Sequence, residues 1–125
     1  MANLLLALNY IAESAITVNR LVKPGAADTG VVQASAATDS ITGVVNELSV
    51  VTGERVDVVH QGVAWVEAGA AIVRGAPITS DANGRGITAA PAAGSNVRIL
   101  GMALESASAA GDVIRVLLEP GYMQG

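Results

Sequence analysis

ITGVV at 41–45 and ILGMA at 99–103, with GERVDVV at 53–59 and GDVIRVL at 111–117, are one pattern written twice. Gly43 answers to Gly101 and Gly53 to Gly111 at an offset of 58 residues, whereas Gly30 answers to Gly86 at 56, which places a two-residue insertion in the Ala/Ser loop of the second copy. The copies run from 24 to 62 and from 80 to 121. Each reads as a polar Gly turn, a short β-prone run, an Ala/Ser loop, an Ile-x-Gly, then Gly-acid-x-apolar-x-Val. Self-similarity of this kind marks one supersecondary unit used repeatedly around a common core. Two copies are too few for a solenoid and suit a compact β-sandwich or barrel whose halves pack on each other.

Working outward, ITVNRLV at 16–22 and VVQASA at 31–36 are rich in β-branched residues and flank a Pro/Gly/Asp loop, which predicts a hairpin. In VDVVHQGVAWVEA at 56–68 the apolar positions change parity, so a bend is expected near Gly62. SDANGRG at 80–86 carries Asn83-Gly84, the dipeptide that accepts positive φ angles, and reads as a hairpin tip. VIRVLLEP at 113–120 closes the sheet, with Ile114, Val116 and Leu118 on one face. No amphipathic stretch of helical period stands out. The fold class is all-β: one domain over 16–125, preceded by an apolar arm or helical turn at 1–15.

The 125-residue length fits a single domain. The chain is 51% hydrophobic, yet it has no Phe and one Trp, so its core must be built from small side chains that each bury little area. Oligomer or partner contacts would then add stability by mass action. A net charge of −4 without any Lys/Arg run argues against direct nucleic-acid binding. LLLAL at 4–8 has no preceding positive charge and is too short to span a bilayer, which argues against a signal peptide or membrane segment.

Groups that carry chemistry are sparse. His60 is the sole histidine and cysteine is absent, so a two-histidine metal site or a thiolate site has no ligands to build it. No Gly-x-Ser-x-Gly elbow and no phosphate loop is present. Asp28, Asp39, Glu54, Asp57, Asp81 and Asp112 fall mainly at turns, where short carboxylates accept backbone N–H groups. Glu54 and Asp112 follow the matched glycines, which favours a structural duty. No catalytic residue, cofactor or metal is expected. Trp65 reads as the anchor of the core, with an interface anchor as its rival.

NRLVKPG at 19–25, the run GERVDVVHQGVAWVEAGAAIVRGAPITSDANGRGI at 53–87 and the closing AAGDVIRVLLEPG at 109–121 resemble the capsid cement, or head-decoration, proteins of tailed bacteriophages. Lambda-type decoration proteins are similar in size, small-residue richness and β content only. The resemblance covers roughly 16 to 121 and rests on the order of Gly, Ala and Val motifs. It implies a non-enzymatic structural protein, made in the host cytoplasm, that binds the outer surface of the virion capsid and bridges major capsid protein subunits. A homo-oligomer, dimer or trimer, is expected with it. Leu4, Leu5, Leu6, Leu8 and Tyr10, with Tyr122 and Met123, are the expected partner contacts: Tyr122 and Met123 lie past the last strand and are best explained by docking, while the arm at 1–15 either tucks against its own domain or docks on a neighbouring subunit. The alternative is a small β-module of a tail or baseplate that binds a carbohydrate or other surface ligand; for sugar, one Trp and two Tyr are a meagre supply of stacking platforms.

Overall fold

The computed structural model describes residues 4–125, with side chains from residue 6 onward. Nine strands follow in order: β1 (Leu4–Ala12), β2 (Arg20–Pro24), β3 (Gly30–Gln33), β4 (Gly43–Val45), β5 (Arg55–Glu67), β6 (Pro77–Ser80), β7 (Gly86–Thr88), β8 (Asn96–Ala103) and β9 (Val113–Gln124). They form a single sheet in the order β1-β3-β2-β4-β5-β9-β8-β6-β7, and an added β1–β5 pairing closes the first five strands into a barrel. The fold is all-β, and no helix occurs among the described residues.

The second half repeats the first, strand for strand. β2 pairs with β3 and β4, and β4 with β5; correspondingly, β6 pairs with β7 and β8, and β8 with β9. In the first half β1 also runs parallel to β3 at Ile11 and Ala12; in the second, the bridge Ala68–Gly86 closes the end of β5 against β7. β5 therefore serves twice. Its first part, paired with β1, ends barrel 1, and its second part, paired with β9 from Gly62 to Glu67, opens barrel 2. The bend expected near Gly62 is there, with φ +99 at that residue.

The matched glycines have matched duties. A Cβ at Gly43 would collide with the carbonyl oxygen of Val59, and one at Gly101 with that of Leu117, so each lets the following strand approach its backbone closely. Gly53 and Gly111 have φ of +91 and +97, a turn conformation that glycine adopts without a Cβ penalty. Just after them, Glu54 accepts the Val51 N–H at 2.8 Å and Asp112 accepts those of Ser108 and Ala109.

The cores match as well. One cluster fills barrel 1 with Ala12, Ile16, Val22, Val45, Val56 and Val58 among others. The larger cluster holds their counterparts in barrel 2, namely Ala68, Ile72, Ile78, Ala103, Ile114 and Val116. It also holds Leu21, Val44 and Val59 from the outer face of barrel 1, so the two barrels share an apolar seam. Fusing two thin cores along one strand buries more apolar surface than either barrel could alone.

Two sequence expectations change here. Residues 4–12, expected as an arm, form β1, which is hydrogen-bonded along its length to β5. An apolar segment pairs readily with a free strand edge, and β5 offers one. Trp65 is not in the core: it shares the outward parity of Val63 and Glu67 and is half-buried, while Ala64 and Val66 point into barrel 2. Valine, isoleucine and leucine do the filling.

Candidate functional site: exposed apolar edges and a polar barrel mouth

Leu6 and Leu8 lie on β1 with 37% and 46% of their surface exposed. The side chains of Leu4 and Leu5 fall outside the described residues, although Leu4 pairs with Gly62 through its backbone. Tyr10 is partly withdrawn: it packs against the core of barrel 1 and its hydroxyl meets His60 Nε2 at 2.7 Å. At the other end of the chain, β9 continues beyond barrel 2 as a ribbon with β8, pairing Arg98 with Tyr122 and Val97 with Met123. Tyr122 is 68% exposed and Arg98 covers one face of its ring, with the guanidinium carbon 4.3 Å from the centroid. Met123 is half-buried. The expected contacts therefore form two separate groups, one on β1 and one on the β8–β9 ribbon, with no strand pairing between them.

Reading of the sequence alone missed the mouth of barrel 1. His60 Nδ1 lies 2.7 Å from the carbonyl oxygen of Thr42. Since a carbonyl only accepts, Nδ1 carries the proton, and in the neutral ring Nε2 accepts from the Tyr10 hydroxyl. In the offsets of the repeat, Tyr10, Thr42 and His60 stand where barrel 2 has Val66, Leu100 and Leu118, all buried in its core. The mouth of barrel 1 is thus a hydrogen-bonded chain where its twin is apolar. Next to it opens a shallow groove of about 610 Å³ lined by Ile41, Thr42, His60, Gln61, Leu117 and Pro120. Aligning the two copies would have found this substitution, because the offsets alone pair 60 with 118.

The charged groups hold turns and the seam. Glu13 accepts the N–H groups of Ala26 at 2.8 Å and Ala27 at 3.0 Å, and these bonds, that from Ala27 the stronger, hold its carboxyl below the ordinary range. In barrel 2 the places are exchanged: Gly69 stands for Glu13, and Asp81, in the place of Gly25, binds the N–H groups of Asn83 and Arg85. Hydrogen bonds from the Ser108 hydroxyl and N–H, then from the Ala109 N–H, hold Asp112 low. Burial raises Asp39, but the N–H of Ser35, Lys23 and the N–H of Ala36 outweigh it and the net shift is downward. Across the seam, Arg20 pairs with Glu67 at 3.2 Å and donates to the Asn83 carbonyl, and the Leu21 N–H donates to the Gly84 carbonyl at 2.8 Å. The Asn83-Gly84 hairpin tip is therefore seated on barrel 1. Among the described residues no group of three or more His, Asp or Glu is placed to hold a metal ion.

No curated protein matches the chain. Among solved structures, the crystal structure of the head fiber gp8.5 N base in bacteriophage phi29 is similar with a TM-score of 0.69 at 19% identity, over 91% of this chain and 93% of that one. At that identity the likeness is one of fold. The family model described as phage cement protein matches residues 5–118, both barrels up to the point where the ribbon leaves them. The chain belongs to the phage cement protein family, a capsid-associated structural class and not a class of enzymes.

Proposed function

We propose that this protein attaches to the outer surface of a phage capsid and stabilises the junctions between neighbouring major capsid protein subunits. The observation that carries the reading is the distribution of its side chains. Most of the carboxylates, Glu13 and Asp112 among them, and the one histidine are engaged in bonds within the chain, whereas Leu6, Leu8 and Tyr122 are offered to the outside on two separate edges. A rigid double barrel with two such edges is suited to gripping two neighbours at once. A standard interface takes about 800 Å² from each partner, a modest share of the 6142 Å² this domain exposes. Repeated at every junction of a shell, a small free energy per site accumulates. The partner contacts are Leu4, Leu5, Leu6, Leu8 and Tyr10 on β1, and Tyr122 and Met123 on the ribbon. The protein acts as a homo-oligomer, is made in the host cytoplasm, and needs no nucleic acid, membrane or cofactor.

The test uses purified heads that lack the protein. Wild-type chain is added, the heads are sedimented, and bound copies are counted against a Leu6→Glu, Tyr122→Ser double variant whose folding is checked by circular dichroism. Loss of at least about tenfold in affinity is expected, as for removal of interface anchors. Binding by the variant equal to wild type overturns the contact assignment, and failure of the wild type to bind overturns the function.

A further inference from the structure

We infer that a second copy of this chain docks on the outer face of barrel 2, along the cross-strand row Pro77–Met102–Leu117, using the mouth of its own barrel 1 around Leu8. This deepens the homo-oligomer part of the reading above by naming the surfaces. The template is inside the molecule. In barrel 1, Leu21 pairs with Val44 and Val44 with Val59, making an outward row across β2, β4 and β5. In barrel 2, Pro77 pairs with Met102 and Met102 with Leu117, the same row at the offsets of the repeat.

Their environments differ. Leu21, Val44 and Val59 are 0%, 0% and 4% exposed and belong to the core cluster of barrel 2, so barrel 2 covers this row. Nothing among the described residues covers the second row: Met102 is 38% exposed, with Pro77 and Leu117 half-buried beside it. The complementary half behaves likewise. The larger cluster contains Ala64, Val66, Leu100 and Leu118 from barrel 2, beyond the positions that both barrels bury. Their counterparts Leu8, Tyr10, Thr42 and His60 in barrel 1 are all partly or largely exposed. One barrel-to-barrel contact is thus made once within the chain, and each of its halves is left open once, the mouth in barrel 1 and the row in barrel 2. A second copy carries the missing half of each.

Two prolines fit a partner that is a separate molecule. Gly62, at φ +99, turns β5 out of barrel 1 and into barrel 2. Its counterpart is Pro120, whose ring fixes φ near −65°, so β9 stays on β8 as the ribbon and does not become the first strand of a third barrel. That place is left for a neighbour with its own β1. Pro77, the counterpart of Leu21, lacks the N–H that Leu21 gives to Gly84, so the contact between copies rests on side chains. Such a contact is heterologous, joining two different patches, and it closes into a ring or propagates according to the rotation it imposes.

The test compares full-length wild type, Met102→Lys and Leu8→Lys by sedimentation velocity over a concentration series, with urea midpoints to establish that all three fold alike. Wild type is expected to self-associate, and each variant alone to do so at least about tenfold more weakly. A mixture of the two is expected to form a heterodimer and nothing larger, because only the intact mouth of Met102→Lys fits the intact row of Leu8→Lys. A monomeric wild type, variants that associate like wild type, or a mixture that stays monomeric overturns the inference. If wild type is monomeric and Met102→Lys fails to bind heads, the row meets a capsid subunit and the second copy is the wrong occupant. Head binding kept by Met102→Lys, which lies outside the assigned capsid contacts, leaves the capsid function standing whatever the association shows.

Discussion

Replacing Gly43 by alanine should do more damage than replacing Gly53 by alanine, although Gly53 has the unusual backbone. At Gly53 an added Cβ meets nothing within 4 Å, so the only cost is an L-residue held at φ +91, about 1–2 kcal/mol. At Gly43 the backbone angle is ordinary, but the new methyl would overlap the Val59 carbonyl and sit 2.7 Å from Val58 Cγ1, well inside ordinary contact. β4 would have to move off β5. That strains the Val44–Val59 and Val45–Val58 pairs, whose four side chains are at most 4% exposed. Overpacking of this kind costs about 1–3 kcal/mol, and weakening one or two ladder bonds adds about 1 kcal/mol each, giving about 2–5 kcal/mol. Against a total stability of about 5–15 kcal/mol, the loss is large. With a urea m-value of about 2 kcal/mol/M the midpoint should fall by about 1–2.5 M, and for Gly53→Ala by less than about 1 M. Gly101→Ala, facing the Leu117 carbonyl, should behave like Gly43→Ala. If either change leaves the midpoint within about 0.3 M of wild type, or costs less than Gly53→Ala, the close-approach argument is wrong.

Asn46→Ala should lower stability by about 2 kcal/mol, since its amide donates to the Trp65 carbonyl at 2.7 Å and its carbonyl accepts the Trp65 N–H at 2.9 Å; denaturation followed by emission of Trp65, the sole tryptophan, reads this directly. Deleting residues 2–11 should open barrel 1 and abolish cooperative unfolding rather than trim a free arm, because Ala7 to Ile11 pair with β5; a normal melt by circular dichroism would refute this. Glu13, Asp39 and Asp112 have folded-state pKa values below the ordinary carboxylate range. Below about pH 4 the unfolded chain therefore binds more protons, so their contribution is present above that pH and is lost as pH falls through the folded values. Urea midpoints should accordingly drop between about pH 5 and about pH 2.5, and Glu13→Gln should flatten the drop; a level profile would contradict the turn-binding roles.

The duplicated glycines made the β-architecture legible in the sequence, because close approach at 43 and 101 and positive φ at 53 and 111 admit essentially one residue type. The counterparts lying further toward the N-terminus were harder to see. Ala12 with Ala68 and Ile16 with Ile72 are ordinary apolar residues whose identity constrains nothing until their burial is known. For the same reason β1 read as an arm: LLLALNYIA has no period that separates a strand from a tail, and its partner edge lies 44 or more residues away in β5. Trp65 illustrates a different limit. Size suggests a core anchor, but parity along β5 decides the face, and the even-numbered residues stay inward on both sides of Gly62, which leaves Trp65 outside. Of the expected contacts, Leu6, Leu8 and Tyr122 are exposed, whereas Tyr10 is engaged by His60. The polar mouth was within reach of an alignment of the two copies, whereas the uncovered row at Met102 comes only from setting the two barrels side by side.

The most direct measurement is cryo-electron microscopy of heads assembled without this protein, imaged before and after it is added. Density for the double barrel on the outer wall, spanning the seam between adjacent capsid subunits, is the expected result. Unaltered shells, or density confined to the interior, would contradict a cementing role.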